Sequence, residues 1–299
     1  MTDTASHIAP NFGDTVREQF KAISLLLRFA VMIAAVPATI ATFLAFADFF
    51  QGRGGVEFAP ELSLIPALAA AVLPVAIWHR DRPFGARFFW TLPVDRTRHA
   101  LAKMIAGWLW LMIGVTAFVL WLLILALITK GNITGDEIVR LLPSPTTPTN
   151  IALDPSVLRA VRWVPQPALW FAPFTAATGV YVIASAITLG FRYPFRWIAG
   201  AIAGAFIVAA AGQGFASDSF WHRLNPLVTA VMQGTYSVDS FLSARAESLH
   251  TVVALTNGKV VPVWKAVPVV SDWLIATLLW TGLGIAGVCG ALFRNRERR

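Results

Sequence analysis

Charge is scarce in this chain. Of 299 residues, 13% are Asp, Glu, Lys or Arg while 57% are hydrophobic, and the mean hydropathy is +0.65. Ordinary soluble domains carry about a quarter charged residues, so this composition excludes a soluble globular protein and points to a polytopic membrane protein. Cysteine is nearly absent as well. The single thiol, Cys289, excludes an intrachain disulfide and reads as a small packing residue in an apolar run. Catalytic signatures are missing: there is no H-E-x-x-H, no G-x-S-x-G, and the histidines at 7, 79, 99, 222 and 250 are scattered rather than grouped for a metal. The Gly258-Lys259 pair is followed by Val260 and has Val253 where a nucleotide-binding loop needs glycine. The chain therefore has no P-loop for ATP hydrolysis, and uphill transport would draw its energy from another polypeptide.

Long apolar runs dominate what is present. A helix needs about 20 residues to cross the hydrocarbon core, and six runs approach or exceed that length: 25–47, 62–78, 104–129, 167–190, 197–215 and 272–293. None alternates as barrel strands do, and backbone polar groups in lipid must be satisfied within the segment, so helices are expected. Pro37, Pro66 and Pro74 become kinks that a bundle can accommodate. Ala45-Phe46-Ala47 resembles a signal-peptidase site. The long leading region with Asp3, Asp14 and Glu18 argues against cleavage, as does an apolar run longer than the usual ~7–15 residues.

Six spans put both termini on one side, and charge says which. The inner segments hold Arg17, Lys21 and Arg28, then Arg80, Arg82, Arg87, Arg96, Arg98 and Lys103, then Arg192 and Arg196, then Arg294, Arg296, Arg298 and Arg299. The outer segments hold fewer basic and more acidic residues. The positive-inside rule predicts cytoplasmic termini, N-in and C-in. The basic balance thus reflects topology, and nucleic acid is not expected as a partner. No Asp, Glu, Lys or His lies well inside any run; Arg28, Asp48 and Asp272 sit near the ends. Proton and ion relays usually use buried ionisable groups, so a secondary transporter is disfavoured.

The loop 79–103, HRDRPFGARFFWTLPVDRTRHALAK, concentrates six Lys and Arg residues between the second and third runs. Gly85, Arg87, Phe88, Phe89 and Trp90 combine basic and aromatic character, Leu92-Pro93 makes a break, and Asp95 to Lys103 can restart a helix that Asp95 would cap. The residues alone fit both an interfacial or partner-docking helix and a solvated loop anchored by Trp90.

The segment from Phe88 to Trp108, FFWTLPVDRTRHALAKMIAGW, resembles the stretch after the second span in membrane subunits of type-2 ABC exporters. There a leucine-proline-valine step and an arginine precede a lysine at the start of the third span; here these are Leu92, Pro93, Val94, Arg96 and Lys103. The resemblance implies a permease in the bacterial cytoplasmic (inner) membrane, with six spans, an amphipathic connecting helix before the first, and a short cytoplasmic helix that docks on a separate ABC ATPase. A second permease copy or a homologue would complete the pathway. ATP and Mg would belong to the partner ATPase, with no cofactor in this chain. The expected ATPase-coupling residues are Arg80, Asp81, Arg82, Gly85, Arg87, Phe88, Phe89, Trp90, Leu92, Pro93, Val94, Arg96, Arg98 and Lys103. Many members carry a glutamate before the motif, whereas here the nearest acid is Asp81.

Other features fit this layout. Over Asp14 to Leu25, Val16, Phe20 and Ile23 share one helical face and Arg17, Glu18 and Lys21 lie largely on another, as in an interfacial helix. Gly200 and Gly204, and the series Gly282, Ala286, Gly290, permit close helix packing, expected within the subunit ahead of a dimer seam. Two outer segments depart from a minimal bundle. Segment 130–166 is broken by five prolines, with short helices expected at 134–142 and 155–162. Segment 216–271 contains Asn257-Gly258 between β-branched runs, a hairpin signal, with Pro262 confining its strand to an edge or ending the ladder early.

The expected fold is one all-α polytopic permease domain, 1–299, with six transmembrane helices, an interfacial N-terminal helix and a small extracytoplasmic cap containing a β-hairpin. The alternative functional reading is a non-transporting membrane scaffold or assembly factor that recruits a cytosolic protein through the same loop.

Overall fold

The computed structural model describes residues 11–52, 54–56, 63–79, 96–131, 137–139, 141–143, 161–163, 170–191, 193–214, 231, 236–243, 247–256, 259–268 and 270–297. Every long element is a helix: α1 Phe12–Phe50, α2 Leu64–Trp78, α3 Arg96–Ile128, α4 Ala172–Gly190, α5 Pro194–Gly214 and α7 Val270–Glu297, with a short α6, Val238–Ser243. Three stretches, Thr97–Ile128, Ala172–Gly190 and Val270–Arg294, are long and apolar enough to cross a membrane. Ala34–Phe50 and Leu64–Trp78 are shorter apolar stretches.

Boundaries follow local chemistry. Pro173 lies in the first turn of α4, where a missing N–H costs nothing. Pro66 likewise falls in the first turn of α2, whereas Pro74 is interior. Both are buried, and with Ala67, Ala70 and Ala71 they make a small-residue face. Two apolar clusters join this face to α4: Ala70 packs with Ala177 and Tyr181, and Ala71 with Ala184 and Ile198.

The amphipathic stretch from Asp14 to Leu25 is not a separate element. It is the first part of the 39-residue α1, continuous through Pro37. Its apolar face is protein-covered: Ile23 is buried, and Val16 and Phe20 pack on the same cluster. The side-chain hydroxyls of Thr39 and Thr42 donate back to the carbonyls of Ala35 and Ala38, which satisfies them inside the apolar half of the helix.

Contacts along the bundle define the direction of each helix. One cluster unites Ile23 near the start of α1, Ile77 and Trp78 at the end of α2, Ala100 near the start of α3, Leu189 at the end of α4, and Val288 and Ala291 near the end of α7. At the other end, the Val56 amide after α1 donates to Thr129 Oγ1 after α3, and the Ser63 hydroxyl before α2 donates to the Leu242 carbonyl of α6. The Trp280 indole of α7 donates to the Tyr236 carbonyl there. Thus α1 and α3 run one way, and α2, α4 and α7 run the other. The start of α1, the end of α2, the start of α3 and the end of α7 are gathered at the first end.

Glycine sets the closest helix approach, but not at the positions expected. A Cβ on Gly200, Gly204, Gly282 or Gly290 would meet nothing within 4 Å, so these residues face open space instead of packing inside the subunit; Ala286, between the last two, is exposed. The close seam between α4 and α7 uses Gly284, against Ile183 and Val182, and Gly287, against Ala186, each 3.0 Å from a built Cβ.

The segments 130–166 and 216–271 contain strands. β4, Glu247–Thr256, and β5, Lys259–Pro268, pair antiparallel from Glu247↔Pro268 to Thr256↔Lys259. That register leaves only Asn257 and Gly258, outside the described residues, to join them. β5 is a central strand rather than an edge, since β2, Leu141–Pro143, pairs on its other side. Among the described residues that second ladder runs from Leu141↔Lys265 to Pro143↔Val263. The helices expected at 134–142 and 155–162 are not formed where the chain is described: β1, Glu137–Val139, pairs instead with β3, Val161–Trp163. Long-range pairing of β-branched residues prevails there over weak local helix patterning.

Candidate functional site: the α2–α3 junction

The expected coupling residues divide into two groups. Arg80, Asp81, Arg82, Gly85, Arg87, Phe88, Phe89, Trp90, Leu92, Pro93 and Val94 lie outside the described residues. Arg96 opens α3, and Arg98 and Lys103 follow on its first turns. The helix restart expected over Asp95 to Lys103 therefore coincides with the start of α3. The described geometry belongs to the frame that receives the loop.

Lys103 is the charged residue of this frame most withdrawn from the surface, at 5% exposure. Its ammonium lies 4.7 Å from the centroid of the Trp78 indole, on the last residue of α2. The negative face of the ring offsets part of the cost of withdrawing the cation from water. A sequence motif thus becomes a physical tie: the two helices that flank the loop are bound to each other by one buried cation on one aromatic face.

Around this tie, aromatic contacts fix α1 and α4 to α3. Phe20 stacks on Trp110 with centroids 4.6 Å apart and planes 12° from parallel. The Trp110 indole also donates to the Phe20 carbonyl at 2.9 Å, so one side chain grips both the ring and the backbone of α1. The Arg98 guanidinium lies 5.9 Å from the Phe12 ring at the start of α1. On the α4 side, the Tyr181 hydroxyl donates to the Met104 carbonyl at 2.9 Å, one residue after Lys103. Gly107 makes room for this bond, because a Cβ there would press into the Tyr181 hydroxyl and the Ile77 side chain. One turn along, the Trp108 indole donates to Thr178 Oγ1 at 3.2 Å.

Among the described residues, no group of His, Cys, Asp or Glu could hold a metal ion. What the junction can do is transmit force: the start of α3 is tied to α2 through Lys103 and Trp78, to α1 through Trp110 and Phe20, and to α4 through Met104 and Tyr181. Trp78, Phe20, Trp110, Gly107 and Tyr181 were not singled out from sequence as parts of this site. Lys103 was, and a search for aromatics at the end of the preceding run would have found Trp78.

No protein-family model, curated protein or solved structure matches this chain.

Proposed function

We propose that this chain is the membrane-spanning permease subunit of an ATP-driven type-2 ABC exporter, embedded through six helices with both termini in the cytoplasm. The observation that carries the reading is the junction at the start of α3. The basic loop carrying Leu92, Pro93, Val94 and Arg96 lies between two helix ends joined by the Lys103–Trp78 contact, 4.7 Å from ammonium to ring centroid. A push on that loop from a cytosolic ATPase would reach α1, α2 and α4 through α3. The opposed directions of the described helices fit a bundle that crosses the membrane repeatedly, and Arg17 and Lys21 on α1, Arg98 and Lys103 on α3 and Arg294 on α7 lie toward one end of it, which fits a cytoplasmic placement of that end.

In this reading two permease copies, or this chain and a homologue, enclose the pathway. ATP binding and hydrolysis on the partner drive the loop at 80–98, and the helices rearrange to alternate access. A pathway lined by the apolar residues of the spans would suit an amphipathic or lipid-like cargo. In this reading the β2-β5-β4 sheet and α6 belong to an extracytoplasmic cap.

The test is co-purification of the tagged chain with a separate P-loop ATPase, followed by ATPase and export measurements on the reconstituted pair. Charge reversal at Arg87 or Arg96, or a bulky residue at Gly85, should uncouple hydrolysis from export while insertion and expression stay intact. A chain that performs its function with no nucleotide-hydrolysing partner overturns the reading.

A further inference from the structure

At the same end of the bundle, α4 ends at Gly190 and α5 begins at Pro194, with Phe191 and Tyr193 described between them. The turn leaves an unusual set of side chains uncovered. Phe191 is 45% exposed, Tyr193 50%, Phe195 64% and Trp197 57%. They are organised: Phe191 and Trp197 lie against each other at 5.1 Å between centroids, and the Arg196 guanidinium lies over the Tyr193 ring at 4.9 Å. Leu189, two residues before Phe191, belongs to the buried cluster that marks this end of the bundle. The turn therefore sits level with the helix ends.

Along the chain, charge on either side of this patch has one sign. No Asp or Glu occurs between Asp154 and Asp218. Aromatic side chains at the rim of a membrane bundle sit at headgroup depth, the apolar ring facing acyl chains and any polar edge facing water. A guanidinium resting on an aromatic face keeps its N–H fork free for a phosphate and is less strongly hydrated than an ammonium. Exposed rings alone would suit any lipid, but rings with an exposed arginine and no neighbouring acid in sequence suit a negatively charged one.

We propose that the Phe191–Trp197 turn is a binding site for the headgroup of an anionic phospholipid, with Arg196 engaging the phosphate and Tyr193, Phe195 and Trp197 bracketing the glycerol and upper acyl chains. The proposal needs only that the chain is embedded in a membrane. It stands apart from the exporter reading and is tested without any ATPase.

The experiment is native mass spectrometry of the full-length protein in neutral detergent, titrated separately with phosphatidylglycerol, phosphatidylcholine and inorganic phosphate. Phosphatidylglycerol should bind in preference to phosphatidylcholine, and inorganic phosphate at millimolar concentration should not displace it. Arg196→Gln should weaken phosphatidylglycerol about fivefold, the factor that corresponds to about 1 kcal/mol for one arginine at an anionic surface, and weaken phosphatidylcholine less, because its choline offsets the charge of its phosphate. Arg196→Lys should retain most of the binding, which separates lost charge from a misfolded turn. Equal affinity for the two lipids, or unchanged binding in Arg196→Gln, overturns the proposal. Displacement by inorganic phosphate would make this a free-phosphate site instead. An Arg196→Gln variant that binds lipid normally but loses a co-purifying protein would make the turn a protein contact.

Discussion

Lys103 and Trp78 meet across the break between α2 and α3, with the ammonium 4.7 Å from the indole centroid and the lysine almost fully withdrawn from the surface. The ring supplies part of what water would have supplied to the cation. A desolvated cation–π contact is worth about 2 kcal/mol, and indole is the best aromatic partner. Trp78→Leu should therefore lower the melting temperature in neutral detergent more than Trp78→Phe, which keeps a weaker ring. Equal effects of the two substitutions would show that only apolar volume matters at this position.

The Tyr181–Met104 bond depends on the bare backbone at Gly107. A methyl there displaces the Tyr181 hydroxyl or the Ile77 side chain, and overpacking of this kind costs about 1–3 kcal/mol. Gly107→Ala should destabilise the protein, and so should Tyr181→Phe, by about 1 kcal/mol for the lost hydrogen bond. The double variant should be less destabilised than the two single effects added together, because removing the hydroxyl relieves part of the clash. Strict additivity in thermal melts would place Gly107 and Tyr181 in independent environments.

The positions of the long helices were readable from sequence, because each coincides with a run whose apolar character persists over many residues. α3 starts earlier than its apolar run, at Arg96 rather than 104, and α1 starts at Phe12 rather than at 25. Apolarity marks the part suited to lipid, whereas the polar first turns of both helices are held by packing on neighbours. The hairpin around Asn257-Gly258 was readable because a two-residue turn between β-branched runs is a local signal. The pairing of β1 with β3 was not, since Glu137 and Trp163 are far apart in sequence and only tertiary pairing selects strand over helix. The Lys103–Trp78 and Tyr181–Met104 contacts were hidden for the same reason. Small residues misled differently: a four-residue spacing shows that a smooth stripe exists, but not which side of the helix has a neighbour.

That last point gives a direct comparison on one helix. Gly282 and Gly284 are two residues apart on α7 and point about 160° from each other around it, given 100° per residue. A Cβ on Gly284 meets Ile183 and Val182 at 3.0 Å, and one on Gly282 meets nothing within 4 Å. Gly284→Val should therefore force α4 and α7 apart and reduce the yield of folded protein. Gly282→Val should leave the subunit's melting temperature within about 0.5 kcal/mol equivalent of the parent. Comparable loss at both positions would mean that Gly282 is covered by a partner in the assembled protein, which size-exclusion chromatography of the Gly282→Val variant would reveal as a smaller species.

The direction of the helices can be tested with a single thiol because the parent chain has only Cys289. In a Cys289→Ser background, cysteine at exposed Gly13 near the start of α1 or exposed His79 after α2 marks the end where α1 starts and α7 ends; cysteine at exposed Gln51 after α1 or exposed Tyr236 before α6 marks the other. A Cβ at Gly13 meets nothing within 4 Å, so that substitution adds no clash. With both termini in the cytoplasm, a membrane-impermeant maleimide should label Gln51→Cys and Tyr236→Cys in intact cells, and label Gly13→Cys and His79→Cys only after permeabilisation. The helix directions require Gly13 and His79 to behave alike whichever way the protein is inserted. Labelling of His79→Cys together with Gln51→Cys, but not with Gly13→Cys, would mean that α2 does not cross, and the proposed loop would then face away from any cytosolic ATPase.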